Sequence, residues 1–341
     1  MKKFVAKLAL ALLPAALWLA VFAAFEPNNY FGLRADTNGN APIARLRAYE
    51  QTPHRAIILG DSRMAHFDMD LVDSVSGRSW SNVAYGGASL EESIDEFYYL
   101  QKNHPEINEV VFGVSFYTLN AGYRTANRMA TIQTQLKNPA AYVFNLEYNI
   151  NTLTVIGDKL AHRPDAAETA EHTAADYAEN GAALPFRRDL IGYAATLYTN
   201  CAKAGTLPAA QTGADGELEN AGALAAAMLA ATPADSRFSI NETALEDLLA
   251  MADFCQKNGI RLTLVLPPMD ESVRALVCRP LGIDAAMAPA LAKLKACGAQ
   301  VLDYEWENDP GYADSCFYDG FHIDAVHGLP DYTRTLFAEV G

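Results

Sequence analysis

Apolar residues recur along this chain on more than one pattern, and the changes of pattern divide it into regions. The first region is an uncharged apolar run from Leu8 to Phe25, preceded by Lys2, Lys3 and Lys7. Its 18 residues span roughly 27 Å as a helix at ~1.5 Å rise, close to the hydrocarbon thickness of a bilayer. Pro14 lies inside the run, which membrane helices tolerate. Residues 26–50 then read as a connector, with Pro27, Asn28, Asn29 and the turn cluster Asn38-Gly39-Asn40.

Short apolar runs and helical periods alternate from there. Arg55–Leu59 reads as a buried strand ending at Gly60-Asp61-Ser62, and a second strand runs through Trp80–Ala84 to Gly86-Gly87. Leu90–Asn103 carries Ile94, Phe97, Tyr98 and Leu100 among acidic residues, a helical spacing, and Glu109–Gly113 is the next strand. The pattern lapses between about 124 and 240, which reads as a helical and loop-rich insertion, polar at 164–182 and 204–222 and Ala-rich at 221–231. It returns with a helix capped by Asn241 and stopped at Asn258-Gly259, a strand Ile260–Leu266, a helix Asp284–Ala296, a strand Gln300–Tyr304 and a short terminal helix. Strand, loop and helix in this order predict an α/β fold with a mostly parallel sheet covered on both faces, a three-layer α/β/α sandwich. The expected organisation is therefore a membrane anchor or signal segment at 1–25, a connector at 26–50 and one α/β domain at 51–341.

Charge narrows the partners. The chain has 26 basic and 41 acidic residues, a net of −15, which argues against a broad phosphate-contacting face and so against nucleic acid. The lysines before the apolar run should stay in the cytoplasm, placing the remaining bulk outside. A cleaved signal peptide, with a cut near Val21-Phe22-Ala23, exports the domain equally. Five cysteines, Cys201, Cys255, Cys278, Cys297 and Cys316, show no C-x-x-C pair. A disulfide among Cys278, Cys297 and Cys316 is one expectation, and five small buried hydrophobes the other.

Two short blocks can carry chemistry. A glycine at the end of a strand lets the chain turn sharply, so Ser62 should stand at the carboxyl edge of the sheet, where open α/β folds bind ligands. A serine hydroxyl needs a base, and Asp319-Gly320-Phe321-His322 offers an imidazole with a carboxylate to orient it. Each block has a plainer reading: Asp61 or Ser62 as a helix cap, and Asp319 with His322 as a solvated pair. Asp319, His322, Asp324 and His327 also form a metal-like set, but the pairing with Ser62 accounts for the first two, so no metal or cofactor is expected.

Ile57-Ile58-Leu59-Gly60-Asp61-Ser62-Arg63, Asn82-Val83-Ala84-Tyr85-Gly86-Gly87 and Asp319-Gly320-Phe321-His322 resemble, in order, three blocks of the SGNH/GDSL hydrolases. The resemblance covers roughly 50–120 and 240–341. It implies a Ser62-His322-Asp319 triad and an oxyanion hole from the N–H groups of Gly87 and Ser62, with Gly86 close by. The family's third block supplies an Asn; here that place reads Gly113-Val114-Ser115-Phe116-Tyr117, with Ser115 as the nearest polar substitute. In this the chain is similar to the membrane-anchored branch that includes the teichoic-acid D-alanylation and alginate O-acetylation proteins, which work beside a membrane-bound O-acyltransferase. That likeness implies an extracytoplasmic esterase or acyltransferase acting on small acyl groups, such as acetyl, of an envelope or exported polysaccharide. The missing Asn leaves open a non-catalytic accessory protein that binds an acyltransferase or a glycan. Arg63, Asp61 and Gly86 are candidates for substrate contact, Arg63 through an anionic group or else as a solvated side chain, and His66 reads as structural.

Overall fold

Five short strands form one sheet in the computed structural model, which describes residues 1–34, 41–123, 125–161, 237–271, 274–279, 281–313, 316–317 and 321–340, with Ala223, Ala226, Ala227 and Ala230. The polar stretches 164–182 and 204–222, most of the Ala-rich piece, and Cys201 lie outside the described residues. The chain divides into two units, Met1–Pro53 with Arg128–Ala170, and His54–Asn127 with Glu171–Gly341.

The second unit holds the sheet: β1 (Ala56–Leu59), β2 (Trp80–Asn82), β3 (Glu109–Gly113), β4 (Arg261–Leu266) and β5 (Gln300–Asp303). Their order is β2-β1-β3-β4-β5 and every pairing is parallel, so the α/β class is as the alternation predicts. Every residue of β1 and β3 is buried, as expected of parallel strands covered on both faces. On one face Ile58, Val111 and Val265 share a core with Val72 of α3 (Met69–Ser76) and with Tyr332, Leu336 and Phe337 of α10 (Leu329–Val340). Elsewhere in the unit α4 (Leu90–Asn103) packs on α8 (Glu242–Lys257), α8 contacts β4, and α9 (Ile283–Lys295) contacts β5. Local chemistry sets the helix starts. Ser89 accepts from the Glu92 N–H at 3.1 Å, and Asn241 accepts from the Ala244 N–H at 3.2 Å. Gly259 stops α8 at φ 68°, a left-handed backbone that favours glycine.

The first unit is helical: α1 (Lys2–Phe25), α2 (Pro42–Gln51), α5 (Met129–Lys137), α6 (Pro139–Val143) and α7 (Leu146–Leu160). α1 is long and apolar enough to cross a membrane. The turn cluster Asn38-Gly39-Asn40 lies outside the described residues, but the stretch expected as a connector holds a helix and buried side chains on either side of it. Pro42 sits in the first turn of α2, where its missing N–H costs nothing, and Ile43, Leu46 and Tyr49 are buried. Before it, Glu26 Oε2 accepts from the Tyr142 hydroxyl at 2.5 Å and from the Asn28 N–H at 2.8 Å. Asn28 Nδ2 donates in turn to the Tyr142 oxygen, and Tyr30 stacks on the Tyr142 ring at 4.0 Å between centroids. Burial, with Glu26 alongside, raises the Tyr142 hydroxyl far above its ordinary range, so it remains a donor.

Cys255, Cys278, Cys297 and Cys316 are free thiols, so the expected C-terminal disulfide does not form. Cys278 is fully buried, and burial pushes its thiol, like that of Cys255 (to about 12), away from the reactive thiolate.

Candidate functional site

A strand order of 2-1-3-4-5 reverses direction between β1 and β3, and the crevice at the carboxyl ends of those strands is where open α/β sheets bind ligands. Ser62 stands there. β1 ends in Gly60 at φ 134°, a conformation that L side chains rarely adopt, and a Cβ at Gly60 would press on Gly113 at the end of β3. Gly113 is equally constrained, because a Cβ there would overlap the Met64 side chain, which folds beneath the turn. Asp61 then caps a single 3-10 turn, Ser62–Met64, its Oδ1 accepting from the Arg63 N–H at 3.0 Å. Ser62 is the first residue of that turn, a position whose N–H has no acceptor within the turn itself.

The imidazole arrives from the other end of the chain. Ser62 Oγ lies 2.6 Å from His322 Nε2, across 260 positions of sequence. At that distance the serine hydroxyl and the imidazole nitrogen share a hydrogen bond. Ser62 is half-buried and His322 is nearly covered. Asp319 lies outside the described residues.

Arg63 departs from its expected role. It is neither solvated nor aimed at a substrate, but buried beneath the turn with all its arms occupied. Nη1 donates to Glu305 Oε1 at 2.6 Å and to Ser115 Oγ at 3.3 Å. Nη2 donates to the carbonyls of Pro267 at 2.6 Å and Pro268 at 2.8 Å, and Nε to the carbonyl of Phe321 at 3.2 Å. One guanidinium thus joins the chain just after β1, β3, β4 and β5 to the residue that precedes His322. A planar fork of five donors suits this task, and a lysine could not perform it. Burial alone would lower the Arg63 pKa, but Glu305, Tyr117 and Asp61 outweigh it and raise it. Burial dominates at Glu305: against the pull of Arg63 it pushes the carboxyl up to about 7, and among the described residues Glu305 Oε2 has no hydrogen-bond partner.

Other expected contacts also prove to be framework. The Asp61 carboxylate accepts from Arg63 and, at 2.6 Å, from the Tyr117 hydroxyl, and it is buried, so it does not face a ligand. Burial, with Asp61 next, raises Tyr117 well above its usual pKa and keeps it a donor. Ser115 is buried with its hydroxyl against Arg63, a different setting from the oxyanion donor expected at that place. Asn82 donates to the Met64 carbonyl at 2.8 Å and accepts from the Ala84 N–H at 3.0 Å, tying β2 to the Ser62 turn.

Gly86 lies beside Ser62. The Tyr85 N–H still donates to the Gly60 carbonyl, which carries the β2 loop past Ser62, and a Cβ at Gly86 would sit 4.0 Å from the Ser62 Cβ. Gly87 turns at φ 72°. Asp324 is buried, its Oδ2 accepting from the His327 N–H and facing His327 Nδ1 at 2.7 Å, which fixes the approach to α10. No group of three or more candidate metal ligands occurs among the described residues. His66 is half-buried on the same short segment as Ser62.

Sequence reasoning did not single out Glu305 or Tyr117. Glu305 stands in no motif and Tyr117 only closes the third block, and the available signal was the arginine directly after the serine, whose charge implied a partner but not which one. No family model matches the chain, and no curated protein is significantly similar to it.

Proposed function

We propose that this protein is a serine esterase or O-acyltransferase of the SGNH type, a three-layer α/β/α domain held outside a bacterial cytoplasmic membrane by α1. The observation that carries the reading is the 2.6 Å approach of Ser62 Oγ to His322 Nε2 at the switch point of a parallel sheet. Ser62 Oγ attacks the carbonyl carbon of an acyl ester while His322 Nε2 takes its proton. Asp319 orients the imidazole from three residues upstream. The N–H groups of Ser62 and of the Gly86–Gly87 turn receive the negative charge that develops on the carbonyl oxygen. Collapse of the tetrahedral intermediate breaks the ester bond, and His322 returns the proton to the leaving alcohol. Water, or a glycan hydroxyl deprotonated by His322, then attacks the acyl-enzyme and frees Ser62.

The substrate proposed is a small acyl group, such as acetyl, on an envelope or exported polysaccharide, handled beside a membrane-bound O-acyltransferase. This part rests on the motif resemblance and on the apolar α1 helix. The test is labelling of the full chain in detergent with a fluorophosphonate. Native protein labels and Ser62→Ala does not. No labelling of folded native protein overturns the enzymatic reading.

One observation favours a second reading. The Ser115 hydroxyl is packed against Arg63 and no Asn stands at that place, so this position does not supply the third oxyanion donor. An accessory protein that keeps the fold and binds an acyltransferase or a glycan would need none. Unlabelled, folded protein that still binds the polysaccharide in a pull-down would establish that role.

A further inference from the structure

α1 has two parts. Lys2–Leu17 are exposed on every side, whereas Trp18 is partly covered and donates from Nε1 to Asn149 Oδ1 at 2.8 Å. Beyond it Phe22 is 1% exposed, edge-on to Tyr142 with ring centroids 5.8 Å apart. Lys159 lies over the Phe25 ring at 6.0 Å. Trp18 with Asn149 and Phe25 with Lys159 set the end of α1 and the body of α7 side by side, running in the same sense. The last two turns of α1 therefore rest one side on the first unit, with Phe22 buried while Leu19, Ala20 and Ala24 stay exposed, and α1 leaves the unit at a tryptophan, a residue type enriched at membrane interfaces.

α7 carries an uncovered apolar stripe next to that exit. Leu146 is 75% exposed, Ile150 53%, Leu153 55% and Leu160 76%, and Phe144 just before the helix is 79% exposed. Steps of four, three and seven residues place the four helix positions on one face, with Gly157 between them. At 100° per residue that face adjoins Asn149, which holds Trp18, while Glu147, Asn151 and Asp158 lie on the far flank. Water is a poor solvent for such a row of large apolar side chains, and patches of this kind mark a partner or a membrane. Because the stripe continues the apolar surface of α1 where that surface leaves the unit, lipid is the occupant it fits.

We infer that α7 is a second membrane contact: α1 stays attached as part of the folded first unit, and the Phe144–Leu160 stripe faces the lipid of the bilayer that α1 crosses. This rests on reading α1 as a membrane span.

The test uses the full chain in vesicles of phosphatidylcholine and phosphatidylglycerol. An environment-sensitive nitrobenzoxadiazole label is placed at Leu153→Cys or at Asn151→Cys, both exposed positions, with the parent chain labelled alongside as the blank for native thiols. Flotation with the vesicles is checked first, and acyl-chain-brominated lipid then serves as quencher. We expect a blue-shifted label at 153 that is quenched several-fold more than the label at 151, and an intact mass that includes residues 1–25. Floating protein with equal quenching at the two positions overturns the α7 contact, and a mass lacking the apolar run overturns retention of α1. Protein that stays out of the vesicles overturns the span reading itself, and this inference with it.

Discussion

The two ends of the sheet carry ion pairs of opposite design. At the amino end, the buried carboxylate of Glu109 meets two arginines that reach in from solvent. Arg78 donates to it directly, while Arg261 Nη2 lies 2.7 Å from Oε1, close enough to pair as charges though not aligned as a hydrogen bond. At the carboxyl end the cation is inside. Arg63 is enclosed, and its partners are fixed groups: one carboxylate, one hydroxyl and three carbonyls. An exposed pair contributes little and depends weakly on geometry, whereas a buried one is tolerable only when every donor is satisfied and is costly to break by halves. The amino end therefore needs charge balance alone, and the carboxyl end needs a set geometry. Ser62 and His322 stand at the end with the set geometry.

The largest effect expected lies in reactivity. Ser62→Ala should abolish fluorophosphonate labelling, and His322→Ala should slow it by at least ~1000-fold, with urea unfolding little changed in both. Loss of labelling in Arg78→Ala or Arg261→Ala would erase the distinction between the two ends. Next comes Arg63→Ala, which leaves Glu305 and three carbonyls buried without a partner. Its expected cost is about 3–5 kcal/mol in urea unfolding, accompanied by loss of labelling as the His322 segment comes free. Adding Glu305→Gln should recover part of that loss, with a coupling of about 0.5–3 kcal/mol, and should not restore labelling.

A smaller effect concerns pH. The Glu305 carboxyl is raised from its ordinary 4.5 to about 7 in the folded protein, so the folded state holds this proton more tightly than the unfolded one. Its contribution to stability is fully present below about pH 4.5 and is lost as pH rises towards 7, at about 1.4 kcal/mol per unit of separation. Unfolding followed from pH 4 to 8 should show this decline in the native chain and a flatter profile in Glu305→Gln. The smallest effects belong to the amino end, where Arg78→Ala and Arg261→Ala should each cost roughly 0–1 kcal/mol in added salt or without it.

The same contrast explains what could be read from sequence. Strands β1 and β3 and helices α4 and α8 were legible because each announces itself locally, through an apolar run, a capping Ser89 or Asn241, or a stop at Gly259. Gly60 and Ser62 were legible because a turn at a strand end has few chemical solutions. Arg63 was misjudged because its burial is decided by Glu305, Pro267 and Phe321, which lie more than 200 positions away. The described part of the 26–50 connector was misjudged for a related reason: the partners of Glu26 and Tyr30 are Tyr142 and Gln135, and nothing near them in sequence reveals either. Charge and hydroxyl groups show in a sequence that a partner is needed, but only the fold names it.

The 260 positions that separate Ser62 from His322 also have a consequence in time. A ribosome adding about 5–20 residues per second needs roughly 10–50 s to get from one to the other. Throughout that interval the emerging polypeptide carries an ordinary alcohol at position 62, and any product aborted before its last strand and the segment after it lacks the imidazole that faces Ser62. On the proposed esterase reading, the protein arms itself only once the rest of it has been made.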